Sequence, residues 1–297
     1  MNMEYIINEK QDKILLRDFL RRELKLSARL VKNLKKYERS ILVNGAHSDV
    51  TRRLSVGDTV TLDFTDKEED VNEYLEKTDI PLDIIYEDEN FTVVNKSSNM
   101  PTHQSLRHYT DTLANALAFR YKDRPYVFRA INRLDMDTSG VVVTANNRFY
   151  ADFLCEKLQN GAFHKQYIAI VEGRLDGEGE INAPIVRLEK SIIKRGVSDD
   201  GDEAITKYKT LFSCNEISVV LVTPITGRTH QIRVHMAHIG HPIMGDFLYG
   251  KESEEIKRQA LHAYRLEIDG VGTYEAKLPD DMQNLIRRYF GDDKSIS

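Results

Sequence analysis

The sequence contains two stretches whose residue types could form a catalytic site. The first, residues 131–140, places Arg133 and two carboxylates, Asp135 and Asp137, in a short loop that can turn tightly at its Thr-Ser-Gly end. The β-branched run 141–144 follows directly and is typical of a buried strand. A carboxylate held at the end of such a strand can act as a nucleophile or a base, although a loop aspartate before a strand is often a turn former or a surface charge.

The second stretch, residues 226–242, is rich in cations and free of acidic residues. Its first residues, 226–229, are predicted to begin a helix and so to offer free backbone N–H groups to an anion. Three-residue spacing on a helix could also present metal ligands on one face. The histidines concerned are His230, His235, His238 and His241. Because Arg228 and Arg233 would place positive charge beside a cation, contacts with phosphate or with the protein interior are the favoured interpretation.

These motifs resemble those of the RluA-type RNA pseudouridine synthases. The family pattern Arg-Leu-Asp-x-x-Thr-Ser-Gly matches residues 133–140, and Gly-Arg-Thr-His-Gln-Ile-Arg-Val-His matches residues 227–235. Further matching pieces occur in the family's order at 81–88, 94–96, 165–169 and 245–250. The resemblance covers residues 80–290. One position departs from the pattern, because the family more usually has His where this chain has Asn132; that change bears on substrate preference more than on the chemistry.

The resemblance implies a uridine-to-pseudouridine isomerisation, which breaks a bond from the sugar to a ring nitrogen and rejoins the sugar to a ring carbon. This reaction needs one ionised carboxylate and a proton acceptor, with no metal, redox or nucleotide cofactor. Glycoside hydrolysis, in contrast, uses a pair of carboxyl groups. By match to the motif the carboxylate is Asp135, while Asp137 falls on a position that the motif leaves open. The guanidinium that keeps it ionised is Arg233, otherwise a cation on a helix surface.

Tyr167 and Arg133 each have two interpretations. Tyr167 lies in a strand pattern, where tyrosine commonly serves packing. The family match instead implies that its ring stacks on the target uracil and makes its hydroxyl a candidate for handling the ring proton. Arg133 could contact the RNA backbone, or fill the gap left by a nucleotide that is flipped out of the stack. Its alternative role is a structural partner for a carboxylate.

The elements that must position these residues are predicted to form an α+β domain over residues 80–292. Short apolar runs with hairpin-like spacing indicate a mixed, mainly antiparallel central sheet with flanking helices, and the resemblance implies the pseudouridine synthase fold. Strands are predicted at 84–86, 91–95, 141–144, 166–171, 205–212, 218–223 and 260–267, and helices at 112–121, 147–158 and 282–289.

Residues 1–64 are predicted to form a separate small domain. Apolar residues recur at helical spacing over 14–34, with Ser27 as an N-cap that divides two helices, and strand and turn signals follow. The order of these elements resembles the S-four-like RNA-binding module, and the alternative is an ordinary solvated basic helix face. In the module the second helix and its turn contact RNA, which makes the following residues RNA-binding candidates: Arg29, Lys32, Asn33, Lys35 and Lys36.

Charge is distributed unevenly along the chain, whose net charge is −5. Residues 1–64 contain 13 Lys and Arg against 9 Asp and Glu, a balance of +4, so the net charge does not exclude RNA as a partner. Residues 65–79 contain 2 basic against 7 acidic residues and few apolar ones, which predicts a flexible, self-repelling linker. Residues 293–297 are predicted to be a loose tail.

Composition further indicates a cytoplasmic protein, expected to be a monomer. No apolar run approaches the roughly 18 residues of a membrane-spanning helix. The only cysteines, Cys155 and Cys214, lie in unrelated segments and suggest neither a disulfide nor a metal site. The leading hypothesis is a cofactor-independent synthase acting on ribosomal or transfer RNA, with Arg228 and His230 as further RNA contacts. The alternatives are a non-catalytic RNA-binding or ribosome-assembly factor and, third, a metal-dependent hydrolase built on the histidines.

Overall fold

The computed structural model of the chain describes residues 1–188 and 193–292, together with Lys294 and Ile296. Its strands are β1 Asn2–Ile6, β2 Ile41–Val43, β3 Ala46–His47, β4 Thr59–Asp63, β5 Asp83–Glu87, β6 Phe91–Lys96, β7 Ser139–Ala145, β8 Phe163–Glu172, β9 Glu178–Asn182, β10 Ile185–Arg187, β11 Arg195–Val197, β12 Ile205–Ser213, β13 Ile217–Pro224, β14 Leu261–Ile268 and β15 Gly272–Glu275. Its helices are α1 Leu16–Asp18, continued by a π-helical turn Phe19–Glu23, α2 Ala28–Leu34, α3 Leu113–Arg120, α4 Arg148–Gln159, α5 Gln231–His238 and α6 Asp280–Phe290, with 3-10 turns at Glu9–Gln11 and Glu68–Asp70. Asp293, Ser295 and Ser297 of the predicted loose tail lie outside the described residues.

A nine-stranded sheet forms the centre of the larger domain. Its order is β5-β6-β7-β14-β8-β13-β12-β9, with β15 added to the far half of β14. Neighbouring strands are antiparallel except β7 and β14, which are parallel. The predicted α+β class with a mixed, mainly antiparallel sheet and flanking helices is confirmed. No helix in the described part of the chain is both long and apolar enough to cross a membrane.

Strand β7, which follows the Asp135 loop, is buried along its whole length. Helices cover both faces of the sheet here: Val143 packs in a cluster with Leu154 of α4, and Val142 packs in another with Leu117 of α3. A strand covered on both faces has no solvent side to alternate with, so its sequence is a continuous apolar run. The Asp135 loop, which leads into β7, is therefore anchored at a rigid strand.

Gly140 permits the parallel pairing of β7 with β14. It has φ +116°, and a Cβ added there would lie 2.2 Å from the carbonyl oxygen of Ala263. Only glycine combines this backbone conformation with this close approach. The last position of the Thr-Ser-Gly motif is thus required by the sheet.

The first 64 residues form a four-stranded sheet in the order β1-β4-β2-β3, packed against α1 and α2 around a separate apolar cluster. Ser27 caps α2, since its hydroxyl accepts the N–H of Leu30 at 3.0 Å. The two helices and the capping serine predicted from the sequence are present.

The acidic segment 65–79 differs from the self-repelling tether expected from its composition. The side chain of Asp66 is 2% exposed and forms a two-pronged ion pair with Arg129, with distances of 2.5 and 2.9 Å. Asp70 pairs with Arg148 of α4 and accepts the hydroxyl of Tyr37 from the front domain. Carboxylates that each meet a cation no longer repel one another, so the segment is held against both domains. The sequence could not reveal these partners, because they lie far away along the chain.

Candidate active site

The loop that contains Asp135 is held from below by a buried lysine. The ammonium group of Lys96 donates to the carbonyl oxygens of Met136 at 2.9 Å, Met100 at 2.8 Å and Ser97 at 2.8 Å. Burial lowers the pKa of Lys96 to about 7, against the opposing charges of Asp137 and Asp135. Within the loop, the N–H of Thr138 donates to the carbonyl of Asp135 at 3.1 Å, which closes a turn.

Asn132, the departure from the family pattern, points away from the cleft. Its side-chain nitrogen donates to the carbonyl of Val141 at 3.0 Å, and its side-chain oxygen accepts the N–H of Val143 at 2.8 Å. The side-chain amide of Asn132 therefore forms the pair of hydrogen bonds to β7 that the backbone of a neighbouring strand would form. Its role is to fix the loop, which is a structural role rather than the substrate role considered from the sequence.

The predicted contact between Asp135 and Arg233 is present. Nη1 of Arg233 donates to Oδ2 of Asp135 at 3.0 Å, although 98 residues separate them. The other side of the guanidinium forks onto Asp246, from Nε at 2.6 Å and Nη2 at 2.8 Å. Arg233 is 5% exposed and Asp246 is fully buried, whereas Asp135 keeps 29% of its side chain exposed. Asp246 therefore holds Arg233 in place inside the protein, while Asp135 faces the solvent.

Electrostatics keep this arginine charged. Burial alone would lower the pKa of Arg233, but the hydrogen bonds and charges of Asp246 and Asp135 outweigh it and raise that pKa above its usual value. Asp246 also accepts the backbone N–H groups of Leu248 and Tyr249, at 3.0 and 3.2 Å. A permanent, fixed cation therefore lies beside Asp135.

An open cleft lies in front of Asp135. It is lined by Asp135, Tyr167, Lys165, Arg133, His230 and Arg233. Burial, and secondarily the charge of Asp135, raises the pKa of Tyr167, so its hydroxyl stays protonated. Burial lowers the pKa of Lys165. One carboxylate surrounded by cations and a tyrosine ring suits an anionic, aromatic ligand.

The two further arginines predicted at the site differ in their engagement. Arg133 is exposed at the cleft, and within the described residues it forms no ion pair, which disfavours its alternative role as a carboxylate partner. Arg228 donates from Nε to the carbonyl of Glu203 at 2.9 Å and lies 3.9 Å from Asp202. Of the two, Arg133 is therefore the arginine that is not held by another described residue.

The predicted anion site at the start of the helix over 226–242 is displaced. Helix α5 begins at Gln231, and the side chain of Gln231 accepts the backbone N–H of Arg228 at 2.9 Å and the hydroxyl of Thr226 at 2.7 Å. The expectation that residues 226–229 begin the helix is wrong. The side chain of Gln231 thus occupies the N–H of Arg228, one of the groups predicted to be free for an anion.

The four histidines of the second stretch separate in the structure. His235 is fully buried and contacts the hydroxyl of Thr206 and the carbonyl of Ala183, at 2.8 and 2.9 Å. His241 contacts the carbonyl of Glu172 at 2.9 Å, while His238 is exposed. Across residues 1–188 and 193–292, no group of three or more His, Cys, Asp or Glu side chains has a metal-binding arrangement. The favoured interpretation, contact with the protein interior, holds for His235 and His241.

The basic residues proposed from the front domain lie along α2 and the turn after it. Arg29, Lys32, Lys35 and Lys36 are exposed, and Asn33 is half-buried. The N-terminus of α2 abuts the larger domain, because the N–H of Ser27 donates to the Asp152 carboxylate on α4 at 2.8 Å.

Several site residues had no role in the sequence argument. Asp246 and Tyr249 fall in a stretch that only matched the family, and Lys96 in another. Tyr249 stacks its ring 5.1 Å from the Arg233 guanidinium and holds His230 through its hydroxyl. These residues join the site through contacts between distant parts of the chain. Residue spacing in one sequence does not reveal such contacts.

Comparison with known proteins assigns the chain to a family. The family model described as RNA pseudouridylate synthase matches residues 90–238, and the chain belongs to this family. It is accordingly an isomerase that converts uridine to pseudouridine in RNA, as the RluA-type resemblance implies.

Its relatives match it over two thirds of the chain or more. The chain is 38% identical to the uncharacterized RNA pseudouridine synthase YhcT of Bacillus subtilis, over 97% of this chain and 97% of that protein. It is 39% identical to ribosomal large subunit pseudouridine synthase D of Xanthomonas campestris, over 70% of this chain and 69% of that protein. Among solved structures, human RNA pseudouridylate synthase domain containing 1 matches with a TM-score of 0.57 and 28% identity, over 67% of this chain and 84% of that one. This confirms the predicted fold.

Proposed function

We propose that Asp135 is the single catalytic carboxylate of this synthase and that the reaction uses no cofactor. The observation that carries the proposal is the 3.0 Å contact between Asp135 and a buried arginine that is itself fixed by Asp246. An ionised carboxylate at the floor of an open cleft can attack the anomeric carbon or the base, and the fixed cation beside it balances its charge.

The remaining cleft residues take supporting roles in this proposal. The Tyr167 ring stacks on the uracil, since it lines the same cleft as Asp135. Arg133 contacts the RNA where the target nucleotide has been flipped out, a step that gives the carboxylate access to the sugar. Asp135 is partly exposed, so a flipped nucleotide can reach it without rearrangement of the core.

The proposed substrate is a specific uridine of ribosomal or transfer RNA. Relatives named ribosomal large subunit pseudouridine synthase D favour ribosomal RNA. We further propose that residues 1–64 are the RNA-binding module, contacting RNA through Arg29, Lys32, Asn33, Lys35 and Lys36, with residues 80–292 as the catalytic domain. In this proposal the protein acts as a monomer in the cytoplasm, without a membrane partner; size-exclusion chromatography with light scattering tests the monomer.

The experiment is a map of pseudouridines across total RNA from cells with and without this gene, with wild-type or Asp135→Asn protein restored. We expect at least one ribosomal or transfer RNA position to lose its pseudouridine in the deletion. Wild type should restore it and Asp135→Asn should not. An unchanged map, together with RNA binding by the purified protein, would support the non-catalytic RNA-binding alternative instead.

A further inference from the structure

His230 lies beside Asp135, and its side chain is more buried than a residue that only contacts RNA needs to be. Its side chain is 11% exposed, with Nε2 located 3.7 Å from Oδ2 of Asp135. On the other side of the ring, Nδ1 lies 2.8 Å from the hydroxyl of Tyr249. The imidazole therefore lies between the Asp135 carboxylate and the Tyr249 hydroxyl.

Tyr249 and Asp135 together favour one protonation site on the ring of His230. The Tyr249 hydroxyl oxygen accepts the backbone N–H of Arg195 at 2.9 Å, and its own proton can be donated to Nδ1. Nδ1 is then an acceptor, and the ring proton resides on Nε2. The opposite tautomer would direct a bare nitrogen lone pair at the Asp135 carboxylate, which is repulsive. The Nε2–H group thus faces Asp135.

The surroundings also keep this histidine neutral. Burial lowers the pKa of His230, with the cations Arg233 and Arg195 acting in the same direction and the anions Asp135 and Asp246 opposing them. His230 is therefore a fixed neutral donor near the carboxylate, beside the permanent cation.

Both protein donors face the same oxygen of Asp135. Arg233 contacts Oδ2, His230 faces Oδ2, and no hydrogen bond from the described residues reaches Oδ1. We infer that His230 is a positioning residue that, with Tyr249, holds Oδ2 in place so that Oδ1 is presented to the flipped nucleotide. This inference rests on the proposed catalytic role of Asp135.

The backbone of His230 supports a side-chain role. The residue has φ +58°, a left-handed conformation that favours asparagine or glycine, and it occupies the N-cap of α5 without forming a side-chain capping bond. A histidine held in a strained position where it does no capping is consistent with a role at a functional site.

Two substitutions separate the positioning role from a backbone role. The His230→Gln amide nitrogen can reach where Nε2 lies, whereas His230→Asn is too short but fits the left-handed backbone better. Single-turnover rate at saturating enzyme, Kd and melting temperature are measured with a transcribed RNA fragment that carries the mapped uridine. We expect His230→Asn to lower the rate by about tenfold to a hundredfold and His230→Gln by much less, with Kd unchanged for both.

Tyr249→Phe tests the tautomer argument, because it removes the hydroxyl and keeps the ring over Arg233. We expect its rate to fall by about tenfold. The matched control is Tyr289→Phe on helix α6, which removes a hydroxyl that is bonded to Glu255 at 2.9 Å. That control should keep the wild-type rate.

The outcomes are distinguishable. A rate for His230→Asn equal to or above that of His230→Gln overturns the inference in favour of a backbone role, and a weaker Kd with an unchanged rate overturns it in favour of an RNA contact. Asp135→Asn is included in the same assay. If Asp135→Asn keeps turnover, the proposed function fails; if it alone is inactive while both His230 variants match wild type, only this inference fails.

Discussion

At the scale of single residues, the site depends on how Arg233 divides its donors between two carboxylates. The two-pronged bond to buried Asp246 fixes the guanidinium plane, and the remaining Nη1 is directed at Asp135. Removing either carboxylate would leave a donor of the buried guanidinium without its partner, so both carboxylates matter for its position. Asp246 thus fixes Arg233, and Arg233 in turn positions Asp135, the proposed catalytic residue.

Lys96 gives the loop beneath Asp135 a pH-dependent stability. Its pKa is about 7 in the folded protein and near 10.5 when exposed, so above pH 7 the unfolded chain binds more protons. The free energy of unfolding should therefore rise with pH between 7 and 10.5, by up to about 1.4 kcal/mol per pH unit relative to Lys96→Met. Urea unfolding of wild type and Lys96→Met at pH 7 and pH 9 measures this difference.

The control for this prediction is Lys209→Met on strand β12, where the side chain is exposed. Its unfolding free energy should follow the wild-type pH dependence. A Lys96→Met variant with the same pH slope as wild type would contradict the depressed pKa.

At the scale of elements, the pairing of β7 with β14 fixes the base of the Asp135 loop. Gly140→Ala would place a Cβ against the carbonyl of Ala263 in addition to straining a positive φ. We expect destabilisation of about 3 kcal/mol or more, with the rate also reduced because the loop shifts. Thermal and urea unfolding, combined with the single-turnover rate, measure both effects.

Gly161→Ala is the matched control. Gly161 has φ +78° and nothing within 4 Å of an added Cβ, so it carries backbone strain without the clash. Its substitution should destabilise by about 1 kcal/mol and leave the rate unchanged. Equal effects at the two glycines would show that the close approach to β14 is unimportant.

Elements with a strong local pattern could be predicted from the sequence. The hairpin β5–β6, the strand β7 and helices α3 and α4 appear where apolar spacing and capping residues indicate them. Within the nine-stranded sheet, the strands β9 and β15 were missed. Both are short and largely polar, and each pairs with a single neighbour in the sheet, which leaves no apolar pattern to detect.

The site could be predicted only as far as its motifs reach. Asp135 and Arg233 belong to recognisable motifs, and their contact follows from the resemblance. Asp246, Tyr249 and Lys96 contribute through contacts between distant parts of the chain, and neither spacing nor residue type reveals such contacts. The start of α5 was misplaced for a related reason, since the side chain of Gln231 competes for the backbone groups before it.

At the scale of the whole molecule, the acidic segment joins the two domains by charge pairs. Asp66 binds Arg129, and Asp70 binds Arg148 and Tyr37. This arrangement gives the proposed RNA-binding module a defined position relative to the cleft, so both parts can read one folded RNA together. Screening by salt acts less on Asp66, because it is buried.

Breaking these pairs should free the front domain. For the double variant Asp66→Asn with Asp70→Asn, we expect a larger radius of gyration by small-angle X-ray scattering and faster proteolysis within residues 65–79. RNA binding should weaken by several-fold, because the two contact surfaces no longer have a fixed separation.

A charge-matched control exists in the same segment. Glu69 and Glu73 are exposed and form no ion pair with the described residues, so Glu69→Gln with Glu73→Gln changes the net charge equally. That variant should retain the wild-type dimensions and proteolysis rate. If both double variants behave alike, the effect comes from net charge and the charge pairs do not hold the domains.

The most direct test of the account compares Asp135→Asn with Asp137→Asn, two carboxylates on one loop of which only Asp135 contacts Arg233. Pseudouridine formation is measured under single-turnover conditions on RNA containing the mapped site, with Kd measured in parallel. We expect Asp135→Asn to bind RNA with wild-type affinity and form no detectable pseudouridine, and Asp137→Asn to keep most of the wild-type rate. Turnover by Asp135→Asn near that of wild type would contradict the central claim.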